Sequence, residues 1–324
     1  DWFDPMLLAQ IGVRTVISGT MGEYADQRLM QAATDRVDEA SLRKRYAYNA
    51  PASPQSQCWV DYISDLGDGF EATYAMAYLM AAPSLHIEGA PILEAGGILI
   101  MGGDQAYPQS SPSEYQNRLI TPYQSAFTNP RKSDEDAADT LPERKLFALP
   151  GNHDWYDGLA AFDTLFCSAR GRIFKDEGKR IGGWRCKQHR SYFAIRLPHD
   201  WWIWGADIQL GGVFDAPQND YFDLMSEEAG PKAKIILCLA EPSWTHECYD
   251  NLFEIVQAAQ RHGGKVCAVL AGDLHHYSRY ATRPSAPSSG ADKTDKPPLD
   301  AQFITCGGGG AFAHATHGLK SALD

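Results

Sequence analysis

Lys145-Leu146-Phe147-Ala148-Leu149-Pro150-Gly151-Asn152-His153-Asp154 runs from an apolar stretch directly into three polar side chains. Lys145 to Ala148 has the short apolar character of a buried strand, and Pro150-Gly151 ends it. Asn152 then offers a neutral carbonyl oxygen, His153 a ring nitrogen and a proton, and Asp154 a carboxylate able to orient the histidine. A buried structural turn rarely needs all three together. The reading depends on whether other apolar runs end in the same way.

Three do. Ile98-Leu99-Ile100-Met101 leads into Gly102-Gly103-Asp104-Gln105-Ala106-Tyr107, and Lys265 to Leu270 leads into Ala271-Gly272-Asp273-Leu274-His275-His276-Tyr277. Cys58 to Ser64 leads into Asp65-Leu66-Gly67-Asp68. Four predicted strands therefore finish on hard oxygen or nitrogen donors. In a layered α/β fold, ligands gather outside the carboxyl ends of the strands. The repetition carries more weight than any single motif.

In these residues the chain resembles the calcineurin-like metallophosphoesterase superfamily, and within it the purple acid phosphatase branch. The family reads an aspartate after its first strand, then Gly-Asp-x-x-Tyr, Gly-Asn-His-Asp/Glu, a histidine before a proline, and Gly-His-x-His. Asp65, Gly103-Asp104-Gln105-Ala106-Tyr107 and Gly151-Asn152-His153-Asp154 fit in order. The last two motifs depart from the pattern. The histidine expected before Pro242 falls on Ala240, and the first histidine of the final motif falls on Asp273. The resemblance runs from about Cys58 to the end. It implies a four-layer αββα sandwich of two mixed β-sheets flanked by helices over residues 58–324, after an N-terminal helical arm and linker over 1–57.

The resemblance also implies a metal-dependent phosphoric ester hydrolase with a dinuclear centre of two divalent or mixed-valence ions: Fe, Mn, Zn or Mg. Asp104 is the expected bridging ligand, with Asp65, Tyr107 and His275 completing the first ion. Most of the superfamily has a histidine at the position of Gly67. The purple acid phosphatase branch lacks it and uses the tyrosine at the position of Tyr107. The second ion would take Asn152, Asp104 and Asp273. An aspartate at 273 shifts that site towards harder ions. An alanine at 240 ligates nothing, and Glu241 or His246 are the candidates to compensate. His153 would hold phosphate oxygens or protonate the leaving group, with Asp154 orienting it. His276, Arg279 and Arg118 are candidate substrate contacts, and His314 and His317 lie where another strand end could bring them in. The implied reaction is direct attack on phosphorus by a metal-activated hydroxide, so no protein nucleophile is needed. The losses at 240 and 273 leave open a degenerate protein that binds phosphate or a partner with little hydrolysis.

Composition agrees with a soluble enzyme. The chain has 324 residues, 44% of them hydrophobic and 22% charged, enough for one large α/β domain. Its net charge of −12 disfavours a nucleic-acid backbone as partner, since phosphate contacts need clustered Lys and Arg. The expected partner is a phosphate-ester substrate. No run of about 18 uncharged apolar residues suggests a membrane span, although a start at Asp1 and an end at Asp324 leave room for a longer parent protein. Neither Gly-x-Ser-x-Gly, His-Glu-x-x-His nor a Gly-Lys-Ser/Thr phosphate loop occurs.

Seven cysteines without a Cys-x-x-Cys argue against a disulfide scaffold and favour a reducing, cytoplasmic or cytoplasm-facing compartment. Cys58, Cys238, Cys267 and Cys306 fall in predicted strands, while Cys167 and Cys186 flank one loop and could pair in an oxidising compartment. Residues 23–45 read as a charged helix. Helices are also expected over 71–80, 158–168, 217–228 and 249–261, and strands over 192–197, 201–205, 234–239 and 301–306. Gln105 to Glu143 is an unusually long connection between two ligand motifs. Its Tyr115, Arg118 and Tyr123 read as walls of a substrate cleft, and its 133–139 as an acidic solvated stretch. Residues 283–298, rich in Pro, Ser and Lys, read as mobile.

Overall fold

The computed structural model describes residues 47–49, 57–127, 144–167, 178–208, 214–245, 249–282 and 299–319. The arm over 1–46, the 133–139 and 283–298 stretches and His246 lie outside the described residues. In chain order the strands begin with β1 (Ala47–Asn49) and β2 (Val60–Ile63). Helix α1 (Phe70–Ala81) precedes the small hairpin of β3 (Ser84–Leu85) and β4 (Leu93–Glu94), and β5 (Ile98–Met101) follows. The long connection then forms α2 (Pro112–Tyr115), a π turn over Gln116–Ile120 and α3 (Thr121–Ala126). Next come β6 (Arg144–Ala148), α4 (Ala160–Phe166), β7 (Arg180–Ile181), β8 (Trp184–Cys186), β9 (Phe193–Arg196) and β10 (Trp201–Gly205). The rest is α5 (Ala216–Ala229), β11 (Lys234–Cys238), α6 (Tyr249–Gln260), β12 (Lys265–Ala271), β13 (Tyr277–Ala281) and β14 (Gln302–Cys306).

These strands make two large mixed sheets. One has seven strands in the order β1-β9-β10-β11-β12-β14-β13, the other five in the order β2-β5-β6-β8-β7. Within the second, β2, β5, β6 and β8 are parallel and β7 is antiparallel. Alternation along each strand sorts side chains between two cores. From β5, Ile98 and Ile100 enter the layer between the sheets, where they meet Phe147 and Leu149 and, from the other sheet, Phe193, Ile195 and Ile203. Leu99 and Met101 point the other way, into a core closed by α1, the 112–126 helices and α4. Trp202, Trp204, Ile235 and Leu237 face α5 and α6 outside the larger sheet. Helix, sheet, sheet and helix layers result, the four-layer α/β architecture expected. Burial on both faces explains why the parallel strands read as unbroken apolar runs rather than alternating ones.

Several expectations need correction. Tyr115 and Tyr123 are not cleft walls: both are buried in the core beneath the five-stranded sheet, Tyr123 stacking edge-on to Trp184. Cys58 is exposed and precedes β2, so its strand begins later than its apolar pattern suggests. Cys186 is a free thiol buried in the same core as Cys167, so no Cys167–Cys186 bridge forms. The helix expected from 158 starts at Ala160, after a 3-10 turn over Asp154–Asp157 and left-handed residues at Gly158 and Leu159. Inside the stretch read as arm and linker, β1 pairs in parallel with β9 at the edge of the larger sheet.

Candidate metal centre

The carboxyl ends of β2, β5 and β6 from one sheet meet those of β11, β12 and β14 from the other. Backbone hydrogen bonds join them directly: Asp65 N donates to Gly103 O, Leu66 N to Asp104 O, Gly309 N to Ser64 O and Ala311 N to Asp65 O, all within 3.0 Å. Asp65, Asp104 and Asp273 each sit at the end of a strand in the left-handed region, with φ of 62°, 51° and 63°. Aspartate tolerates that region better than most residues, but three such positions in one site are a local cost that the surrounding packing must hold. From these turns the Asp65 and Asp104 carboxylates both reach the Tyr107 hydroxyl.

The Tyr107 hydroxyl is the centre of the arrangement. It lies 3.0 Å from Asp65 Oδ1, 2.9 Å from Asp104 Oδ2 and 2.8 Å from His275 Nε2. Asp65 is fully buried. It also accepts from Ser64 Oγ at 2.7 Å and, with both oxygens, from Asp273 N at 3.1 Å. Burial first, and then the charge of Asp104, raise the Asp65 carboxyl well above the usual carboxylate range. Burial and the same two carboxylates push the Tyr107 phenol up as well.

His275 is held in one tautomer. Its Nδ1 lies 2.7 Å from the Phe312 carbonyl, which can only accept, so the proton sits on Nδ1 and Nε2 turns a lone pair to the Tyr107 hydroxyl. Burial holds its pKa below the ordinary value, which favours that neutral form. His314 does reach the site: it stacks on His275 at 4.4 Å and accepts the His275 backbone N–H with its own Nδ1. His317 lies on the exposed surface.

Gly67 and Gly151 show why the backbone is bare here. Gly67 has φ +59°, and a Cβ there would collide with the Gln105 carbonyl, so no larger side chain fits at that position. A Cβ on Gly151 would strike the Asp104 carboxylate. Beside it, His153 N donates to Asp104 Oδ1 at 3.0 Å. Asn152 Oδ1 is buried and finds no hydrogen-bond partner among the described residues. A buried amide oxygen left without a donor costs free energy unless something electropositive faces it.

Asp154 does not orient His153. His153 Nδ1 bonds the Pro108 carbonyl at 2.8 Å. The fully buried Asp154 instead accepts from Gly151 N at 2.8 Å and from the Tyr115 hydroxyl at 2.6 Å, with weaker bonds from Gln105 N. It ties the Asn-His turn to the Asp104 turn and to the helical insert. Arg118 pairs with Glu114 and donates to the Asp68 carbonyl, securing that insert to the turn that follows β2. Arg279 lies on the exposed face of β13, with Nε 2.9 Å from Gln302 Oε1. His276 Nε2 lies 3.3 Å from Ser278 Oγ.

Residue types alone do not disclose the supporting cast. Ser64, the Phe312 and Pro108 carbonyls and the Tyr115 hydroxyl leave no motif, because backbone groups and single hydroxyls occur everywhere. Among the described residues no group of three or more His, Cys, Asp or Glu is disposed to hold an ion. Asp65, Asp104 and His275 instead close on a phenol oxygen. Two observations fit a cation: hard oxygens and a correctly protonated imidazole converging on one point, and the orphaned Asn152 oxygen next to the shared Asp104. Ala240 supplies nothing to the second position. Glu241, the next residue, is half-buried; burial first, and then Asp273, raise its pKa to about 7.

No protein-family model matches the chain, and no curated protein matches it. Solved structures do. One is a purple acid phosphatase isolated from yellow lupin (Lupinus luteus) seeds, at 13% identity and a TM-score of 0.45, over 85% of this chain and 48% of that one. The present chain thus spans about half the length of that neighbour. No helix among the described residues is long and apolar enough to cross a membrane.

Proposed function

We propose that this chain is a metal-dependent phosphoric ester hydrolase of the calcineurin-like metallophosphoesterase type, acting on a phosphate-ester substrate at a dinuclear centre. The observation that carries the proposal is the closure of Asp65, Asp104 and His275 on the Tyr107 hydroxyl, with an unpartnered Asn152 oxygen beside Asp104. Asp65, Asp104, Tyr107 and His275 would hold the first ion, and Asp104, Asn152 and Asp273 the second. When bound, two cations would supply the charge that activates water and neutralises the negative charge developing on phosphorus. Fe, Mn, Zn and Mg are the candidates. Tyr107, held as a neutral phenol by burial and by its carboxylate neighbours, would lose its proton only to a strong Lewis acid. Ferric iron there would give a visible phenolate band.

The chain's own groups do the rest. His153, whose Nδ1–H donates to the Pro108 carbonyl, would in its imidazolium form donate Nε2–H to a phosphoryl oxygen or to the leaving alkoxide. Asp154 positions this turn without touching substrate. His276, and less directly Arg118 and Arg279, remain candidate substrate contacts. Asp104→Asn and Asn152→Ala should each lower hydrolysis of p-nitrophenyl phosphate by about a hundredfold or more in the metal-loaded protein. Full activity in both would refute the site.

The methyl of Ala240, packed against Gly103, favours a second reading: a protein of the same type that binds phosphate or a partner with little turnover. One ion per chain and no turnover would select it; two ions with turnover select the hydrolase.

A further inference from the structure

The end of β11 carries a carboxylate that the first-ion geometry does not use. Glu241 is half-buried, and no hydrogen bond or ion pair with a described residue holds its carboxylate. Its position follows from the sheet. Cys238 pairs with Leu270 across β11 and β12, and Gly272 N donates to Ala240 O at 3.0 Å, so Glu241 and Asp273 leave neighbouring strand ends side by side. On the other flank, the Cα of Gly151 and the methyl of Ala240 both press on Gly103. The turn bearing Asn152 and the turn bearing Glu241 therefore meet over the β5 end, close to Asp104. The half-buried Glu241 carboxylate and the buried Asn152 oxygen, neither of which receives a donor from a described residue, make an unfavourable grouping unless a cation lies beside them.

Resting on the metal reading above, we propose that Glu241 supplies the missing protein ligand of the second cation position. With Asp104, Asn152 and Asp273 it makes that position all-oxygen and selective for a hard divalent cation, Mn²⁺ or Mg²⁺, over Zn²⁺. Carboxylate and amide oxygens suit Mg²⁺ and Mn²⁺, whereas imidazole suits Zn²⁺. The one-residue offset from Ala240 is tolerable because Glu241 stands in the turn beyond β11, where strict strand alternation has ended.

The test is uptake of Mn²⁺ by the metal-free full chain, followed through the electron paramagnetic resonance signal of the free ion, with Zn²⁺ as competitor. The parent protein should take up two ions. Glu241→Gln should keep one with unchanged affinity and bind the other about tenfold or more weakly. Glu241→His should keep both and move the weaker position towards Zn²⁺. Two unchanged sites in Glu241→Gln, or loss of both from a variant with the parent's circular dichroism, overturn the Glu241 assignment and leave the metal reading standing. No uptake by the parent overturns the metal reading itself. If Glu241→Gln does not fold, Glu241→His decides: an unchanged preference for Mn²⁺ overturns the assignment.

Discussion

Gly151 makes the clearest single-residue case. A Cβ on Gly151 would lie 2.0 Å from Asp104 Oδ1, so the added methyl of Gly151→Ala must displace that carboxylate. Because Asp104 also holds His153 N and the Tyr107 hydroxyl, the shift should disorganise both halves of the site. We expect Gly151→Ala to lose most hydrolysis and metal binding while costing only about 1–3 kcal/mol of stability, the usual range for overpacking. Paired activity and denaturant-unfolding measurements check this; a variant with parental activity would show that the carboxylate can move without consequence. The motif around Gly151 was readable from residue types, but the reason for its glycine was not. Only the fold shows which backbone meets which side chain.

At the scale of elements, the insert over 112–126 is where structure departs most from the reading of the chain. Its tyrosines are core, and Tyr115 reaches through that core to Asp154. The bond joins the insert to the turn carrying Asn152 and His153. Tyr115→Phe leaves a buried carboxyl short of one donor, which should cost about 1–3 kcal/mol. Unfolding in urea measures the loss, and a change below about 0.5 kcal/mol would deny the link, since surface-like substitutions fall within that range. The strands themselves were legible: the runs at 98–101, 145–148 and 265–270 all form strands, because burial on both faces demands continuous apolar residues. The short hairpin of β7 and β8 was not, since two and three residues carry no period to read.

For the whole molecule, the gathering of acids at one rim sets a pH dependence. Glu241 rises from its ordinary 4.5 to about 7 on folding. A raised carboxyl keeps its proton in the folded chain where the unfolded chain has released it. The stability it contributes is complete below 4.5 and is lost as pH climbs through about 7. Asp65 and Asp154, both raised, act with the same sign. The metal-free protein should therefore melt at falling temperature from about pH 5 to about pH 8, and Glu241→Gln should flatten part of that fall. Melting curves of parent and variant that differ equally at every pH would contradict it.

The sequence by itself determined the layered α/β plan, because apolar runs ending on ligands can be read one strand at a time. It also put Asp65, Asp104, Asn152, Asp273 and His275 just after those runs, and the resemblance of the motifs added Tyr107 as a candidate donor. Which donors meet was decided only by the tertiary structure. Asp65 and His275 are far apart in the chain and come together because β2 and β12 belong to opposing sheets whose ends abut. The same packing turned Asp154 away from His153, sent Arg118 and Arg279 to other partners, and brought Glu241 beside Asp273. Each of those outcomes depends on contacts across layers, where spacing along the chain carries no information.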